Sequence, residues 1–195
     1  MFKQIKDLGI EKTIPDNTDI IAFQQADGIT GHITRENFLA SSSSEIKYIQ
    51  LIDSRAATTQ GGQASAVGSW YPRVINTISH DDTALVTVGS NLFKLPSGNY
   101  FIDASAEFNA VGRVRLRLRN STDNTVLING ASANASQANG VSLSARLSGY
   151  FTIANSKNLT IEYRTQATNN ANDLGVAASF GVNEIYLIAN LWKLS

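Results

Sequence analysis

The sequence predicts an all-β fold, a jelly-roll β-sandwich preceded by a small β-hairpin-plus-short-helix module. Three observations carry this. Short apolar or alternating runs recur along residues 48–195 at near-regular spacing, with turn residues between them. No segment of useful length has helical periodicity. Residues 113–119 alternate charged and apolar without a break. Successive side chains of a strand point to opposite faces, so Val114, Leu116 and Leu118 enter a core while four arginines stay outside it.

The chain opens with a compact pattern. Residues 19–23, Asp-Ile-Ile-Ala-Phe, read as a strand, and Asp27-Gly28 is a turn dipeptide suited to positive φ. Residues 29–33 read as the returning strand. Thr34 is placed to cap a short helix over residues 35–39. About forty residues bury little surface alone, so this module needs copies of itself or a larger assembly around it. Four consecutive serines, Ser41 to Ser44, favour neither helix nor strand and read as a linker. The expected organisation is a module over 1–40, a linker over 41–47 and a head domain over 48–195.

Within the head, residues 48–54 alternate, with Tyr48, Gln50 and Ile52 on one side and Ile49, Leu51 and Asp53 on the other. Residues 56–68 are small, polar and Gly-rich and read as a loop. Residues 70–78 are β-branched and aromatic and read as one strand. Residues 84–88 follow the polar turn Asp81-Asp82. Residues 92–95 end at Pro96-Ser97-Gly98, a turn sequence. Residues 99–111 form a longer strand region, and Asn120 to Asn124 close the arginine strand. Residues 125–129 read as a strand and 130–140 as a soft loop. Residues 141–153, 159–165 and 184–194 complete the set. The last of these is apolar on both sides, as expected of a central strand covered on both faces.

Composition narrows the function. Lys plus Arg and Asp plus Glu both number 16, so the formal net charge is zero. A dedicated nucleic-acid binder carries a strong cationic excess, so nucleic acid is not an expected partner. The chain has no cysteine, which removes disulfides, thiolate metal sites and cysteine nucleophiles. No apolar run approaches the roughly 18 residues of a membrane span, and the N-terminus lacks a signal-peptide core. The expectation is a protein made in the cytoplasm, with no membrane partner.

No pattern points to catalysis. His32 and His80 are the only histidines. Any triad drawn from His80, Asp81 and one of many serines is arbitrary. His80-Asp81-Asp82 reads as a solvated turn rather than a cation site. Gly28 to Gly31 lies in a hairpin sequence without the Gly-Lys-Ser/Thr of a phosphate loop. No catalytic, cofactor-binding or metal-binding residue is assigned, and no cofactor is expected. The candidate surface or inter-subunit contact is Arg113, Arg115, Arg117 and Arg119. Three readings of it stand: a nucleic-acid strip, a contact for an anionic glycan, or an exposed sheet face that needs no ligand. Glu107, Glu162 and Asp103 are the acids available for cross-strand pairing.

The run Phe93-Lys94-Leu95-Pro96-Ser97-Gly98-Asn99-Tyr100-Phe101-Ile102 resembles the segment that opens the jelly-roll heads of many bacteriophage fibre proteins. Arg117-Leu118-Arg119-Asn120, Leu147-Ser148-Gly149-Tyr150-Phe151 and the final Ile185-Tyr186-Leu187-Ile188-Ala189-Asn190-Leu191-Trp192 continue the likeness. These heads are similar to the trimeric complement-type and tumour-necrosis-factor-like jelly rolls. Residues 15–23 and 31–39 resemble the short module at fibre N-termini. The resemblance implies a structural virion protein, located in the virion after synthesis in the host cytoplasm. It implies a homotrimer, a short fibre or knob. Residues 1–40 would attach it to other virion proteins, and the head would meet a host-surface glycan or protein. The chain departs from long fibres in having a serine linker where they have a shaft. A capsid decoration or head-fibre protein without receptor recognition, and a carbohydrate-binding module, are the alternatives.

Overall fold

A computed structural model describes residues 20–24, 30–34, 45–137 and 140–194. The chain divides into two compact units, Met1–Glu45 and Ile46–Ser195. In the first, β1 (Ile20–Gln24) and β2 (Thr30–Thr34) pair antiparallel, with Ala22 opposite His32. The expected turn at Asp27-Gly28, the helix over 35–39 and the serines 41–44 lie outside the described residues.

The second unit is all strand and loop among its described residues. Its strands are β3 (Lys47–Arg55), β4 (Tyr71–Pro72), β5 (Thr77–Asp81), β6 (Thr87–Gly89), β7 (Leu92–Leu95) and β8 (Gly98–Asn109). They continue with β9 (Gly112–Asn120), β10 (Thr125–Ala135), β11 (Ser142–Ile153), β12 (Lys157–Thr165) and β13 (Glu184–Lys193). Two antiparallel sheets form. One runs β10-β9-β12-β7-β6, with β4 also on β12, and the other runs β11-β8-β13-β3-β5. We call the first the arginine sheet, because β9 carries Arg113 to Arg119, and the second the aromatic sheet.

Alternation builds the core. Ile49 and Leu51 of β3, Tyr100 and Ile102 of β8, and Leu187 and Leu191 of β13 face inward from the aromatic sheet. Phe93, Leu116, Leu118, Leu159 and Ile161 meet them from the arginine sheet. Each such side chain contributes about 1.5–3 kcal/mol on burial. The long strands β8 and β11 pair without interruption from Gly98–Ile153 to Asn109–Ser142.

Four expectations need correction. The single strand expected over 70–78 is two strands in different sheets, β4 on β12 and β5 on β3. Pro72 lacks an amide for a central ladder, and Arg73 turns fully into the core, so the chain crosses between sheets there. The strand expected over 84–88 is reduced to β6. The Asp81 carboxylate accepts from the Thr83 and Val86 amides and curls residues 82–86 into a loop, where Ala84 takes φ +54°. The loop expected over 130–140 is strand as far as Ala135, with a register shift between Asn129 and Ser132. At Gly130 an added Cβ would lie 2.5 Å from the Arg146 carbonyl oxygen, so the glycine marks a close approach within the sheet. β13 is central, between β3 and β8, but it is not covered on both faces: Ile185 is 39% and Ile188 38% exposed.

Candidate functional site

The arginine row lies along the outward face of β9. It is not uniform. Arg117 sits opposite Glu162 of β12, and its Nε donates to Glu162 Oε2 at 2.6 Å. Its guanidinium carbon lies 4.2 Å from the Trp70 ring centroid, a cation–π contact. Arg119 Nη1 donates to Glu162 Oε1 at 3.2 Å and its Nη2 to Asn124. One buried carboxylate therefore pairs with both arginines of the distal half of the row. Of the three acids considered from sequence, only Glu162 does this. Asp103 and Glu107 lie on β8 of the other sheet, where Asp103 pairs with Arg146 at 3.3 Å and Glu107 bonds Ser144.

Among the described residues no acid pairs with the proximal half. Arg115 of β9 sits directly opposite Arg164 of β12. Arg115 Nε donates to the Gly130 carbonyl at 2.7 Å, and Arg113 Nε donates to Gln166 Oε1 at 3.1 Å. All three arginines are exposed, and they line a hollow of about 470 Å³ together with Trp70, Ser132 and Gln166.

The aromatic sheet presents a different surface. The strand register places Tyr150 opposite Phe101, Phe101 opposite Trp192, and Trp192 opposite Tyr48. Ring centroids along this line are 4.8, 5.7 and 5.6 Å apart, and His80 of β5 extends it at 5.5 Å from Tyr48. One ring from each of five strands thus forms a ribbon across the sheet, about 19 Å long at the usual inter-strand spacing. None of the four aromatic residues is buried, and Tyr150 is 73% exposed. The next row is polar and linked within the chain: Tyr48 Oη donates to Asn190 Oδ1 at 2.7 Å, and Gln50 Nε2 to the same oxygen at 2.9 Å. A third row places Ile188 opposite Ile52. Tyr48, Gln50 and Ile52 read as one side of their strand from alternation, but the ribbon left no sign there, because only the register of five strands distant in sequence aligns the rings.

Other charged groups have structural partners. His80 Nε2 lies 2.8 Å from Asp82 Oδ1. Asp82 is held below the usual carboxylate range by the Tyr48 amide and then by His80. Burial acts to raise Asp81, but hydrogen bonds from the Thr83 side chain and the Val86 and Thr83 amides outweigh it and leave it lowered. Among the described residues no group of three His, Asp or Glu side chains is arranged to hold a metal ion. Glu184 accepts from the Ser179, Ala178 and Thr58 amides, which keep its carboxyl below the usual range. Arg73 is buried in the core, where its Nη2 donates to the Leu174 and Tyr186 carbonyls at 3.1 and 2.9 Å. Burial lowers its pKa to about 10.

No protein-family model matches the chain, and no curated protein matches it in sequence. Among solved structures, the crystal structure of murine APRIL at pH 8.0 is similar, with a TM-score of 0.50 and 11% identity over 77% of this chain and 100% of that one. The murine APRIL structure at pH 5.0 has the same TM-score at 10% identity, with the same coverage. The globular domain of zebrafish complement 1qA protein has a TM-score of 0.48 and 17% identity, over 77% of this chain and 98% of that one. The likeness to APRIL is one of fold alone, and it supports a jelly-roll head.

Proposed function

We propose that the head is a non-enzymatic display module that assembles as a homotrimer through the outward face of the aromatic sheet. The observation that carries this is the ribbon Tyr150–Phe101–Trp192–Tyr48–His80, with exposed Ile188 on the same face beyond the polar Asn190–Gln50 row. Aromatic side chains bring about 150–250 Å² each to an interface, and monomers rarely leave such a contiguous patch in water. The polar groups beside the ribbon are satisfied within the chain, so a second copy meets few unpaired donors there. The arginine sheet, charged on its outward face, is then the surface left for display. Closed symmetry allows two, three or more copies. The choice of three rests on the similarity to trimeric jelly rolls seen in residues 93–102 and 185–192.

The setting we propose is a bacteriophage particle. Residues 1–40 attach the protein to other virion proteins, and the head contacts the host surface. This part rests on the sequence resemblance. Three heads on one base raise weak individual contacts to useful avidity.

Light scattering at micromolar concentration tests the assembly. The expected mass is about three times the 21.0 kDa chain. Trp192→Glu and Phe101→Glu should each shift it to one chain without unfolding the head, because both side chains lie outside the core. A monomeric parent protein rejects the proposal. Labelling of phage particles with antibodies against residues 48–195 tests the setting, and its failure alone leaves the assembly standing.

A further inference from the structure

We propose that the hollow formed by Arg113, Arg115 and Arg164 binds an acidic sugar, one carrying a carboxylate or sulfate group. The inference deepens the display function, resting on it for the exposure of the arginine sheet.

The first argument is electrostatic. Like charges directly opposite on neighbouring strands are destabilising. The chain avoids this at Arg117, which faces Glu162, but places Arg115 against Arg164. Among the described residues no carboxylate lines the hollow. The net charge of the chain is zero, so this local excess of three cations is not a consequence of a basic protein. An anion seated between the three guanidiniums removes the repulsion.

The second argument is geometric. Arg113 and Arg115 are each held at Nε, by Gln166 Oε1 and the Gly130 carbonyl. Among the described residues, neither their Nη atoms nor the Arg164 guanidinium has a hydrogen-bond partner. Fixed stems with free terminal nitrogens are the arrangement that binds planar or tetrahedral oxyanions by paired hydrogen bonds. A volume of about 470 Å³ lies within the range of small-ligand sites.

The rest of the wall selects a sugar over a bare anion or a nucleic acid. Val67 and Ala133 supply apolar surface for the carbon face of a pyranose ring, and Ser132 and Gln166 supply hydroxyl partners. Strand-tracking nucleic-acid sites need a cationic groove with several stacking platforms. Here the free cations end where Glu162 begins, and Arg117 covers the Trp70 ring. The site fits one charged residue of a chain, not a polyanion.

Binding of glucuronate and glucose 6-sulfate, followed by protein-observed NMR or calorimetry at low salt, tests this. Inorganic sulfate, glucose and a short single-stranded DNA are the comparisons. Saturable binding of an acidic sugar with Kd of about 1 mM or tighter is expected, with glucose silent and sulfate weaker by about tenfold or more. Arg115→Ala and Arg164→Ala should each weaken binding by about tenfold or more, and Arg146→Ala on the other sheet should not. Both hollow variants should keep or raise the melting temperature of the unliganded head, since each removes a like-charge contact. A structural role would lower it. Absence of saturable binding to either acidic sugar overturns the proposal. So does sulfate binding as tightly as the sugars, or DNA binding more tightly than either. If the head is trimeric and no sugar binds, this inference alone fails. If Arg115-dependent binding persists in a monomer, the assembly proposal alone fails.

Discussion

Removing the Glu162 carboxylate should destabilise the head by about 2–3 kcal/mol. Glu162 Oε2 takes the Arg117 contact at 2.6 Å, and Oε1 takes the Arg119 contact at 3.2 Å. The Glu162 side chain is 7% exposed, against 18% for Arg117 and 29% for Arg119. Breaking a fully buried pair costs about 3–5 kcal/mol, because the remaining charge is stranded. Here both guanidiniums keep some contact with water, which places the loss below that range. The arginine sheet would also lose the one negative charge set against Arg117 and Arg119, beside the Arg115–Arg164 pair. For a domain of this size the melting temperature should fall by about 5–10 °C. Urea unfolding of Glu162→Ala at fixed protein concentration measures the loss. A double-mutant cycle with Arg117→Ala should return a coupling of about 1–2 kcal/mol, since the two residues form one unit with Trp70. A loss under about 0.5 kcal/mol, or additive single variants, would refute the reasoning.

Three further outcomes are expected. Arg73→Ala leaves the Leu174 and Tyr186 carbonyls without their donor and opens a cavity, so it should cost about 3–5 kcal/mol, with Arg73→Met recovering part by filling the space; equal losses in thermal melts would count against this account. Glu184 has a folded-state pKa below its unfolded value of about 4.5, so its contribution is present above that pH and is lost as pH falls through the folded value. Glu184→Gln should therefore flatten the acid limb of melting temperature against pH, and an unchanged limb contradicts the assignment. Deleting residues 187–195 removes most of β13 from between β3 and β8 and should abolish folding, whereas a soluble product that melts cooperatively would show that the sheet closes without it.

Local alternation was legible because a strand reports its own two faces. Val114, Leu116 and Leu118 read as core, Ile49 and Leu51 read as sharing one side of their strand, and all five are buried. The breaks were less legible. Arg73 carries a charge that ordinary partitioning places outside, yet it lies in the core, and with Pro72 it divides a run that reads as one strand. Gly130 reads as loop, yet it is the close-approach residue of a bulged strand. In each case the deciding contact comes from residues distant in sequence, Tyr186 for Arg73 and Arg146 for Gly130.

The candidate sites divide in the same way. Sequence alone determined that β9 would present four arginines on one face, because the period of two is a property of the strand itself. Which of them pair with an acid was decided by sheet order, which brings Glu162 to Arg117 and Arg164 to Arg115 and leaves Asp103 and Glu107 on the opposite sheet. The aromatic ribbon depends wholly on register. A shift of one residue in any of its strands turns that strand's ring into the core and breaks the line. Sequence fixes the faces of each strand, and pairing between strands fixes what those faces assemble.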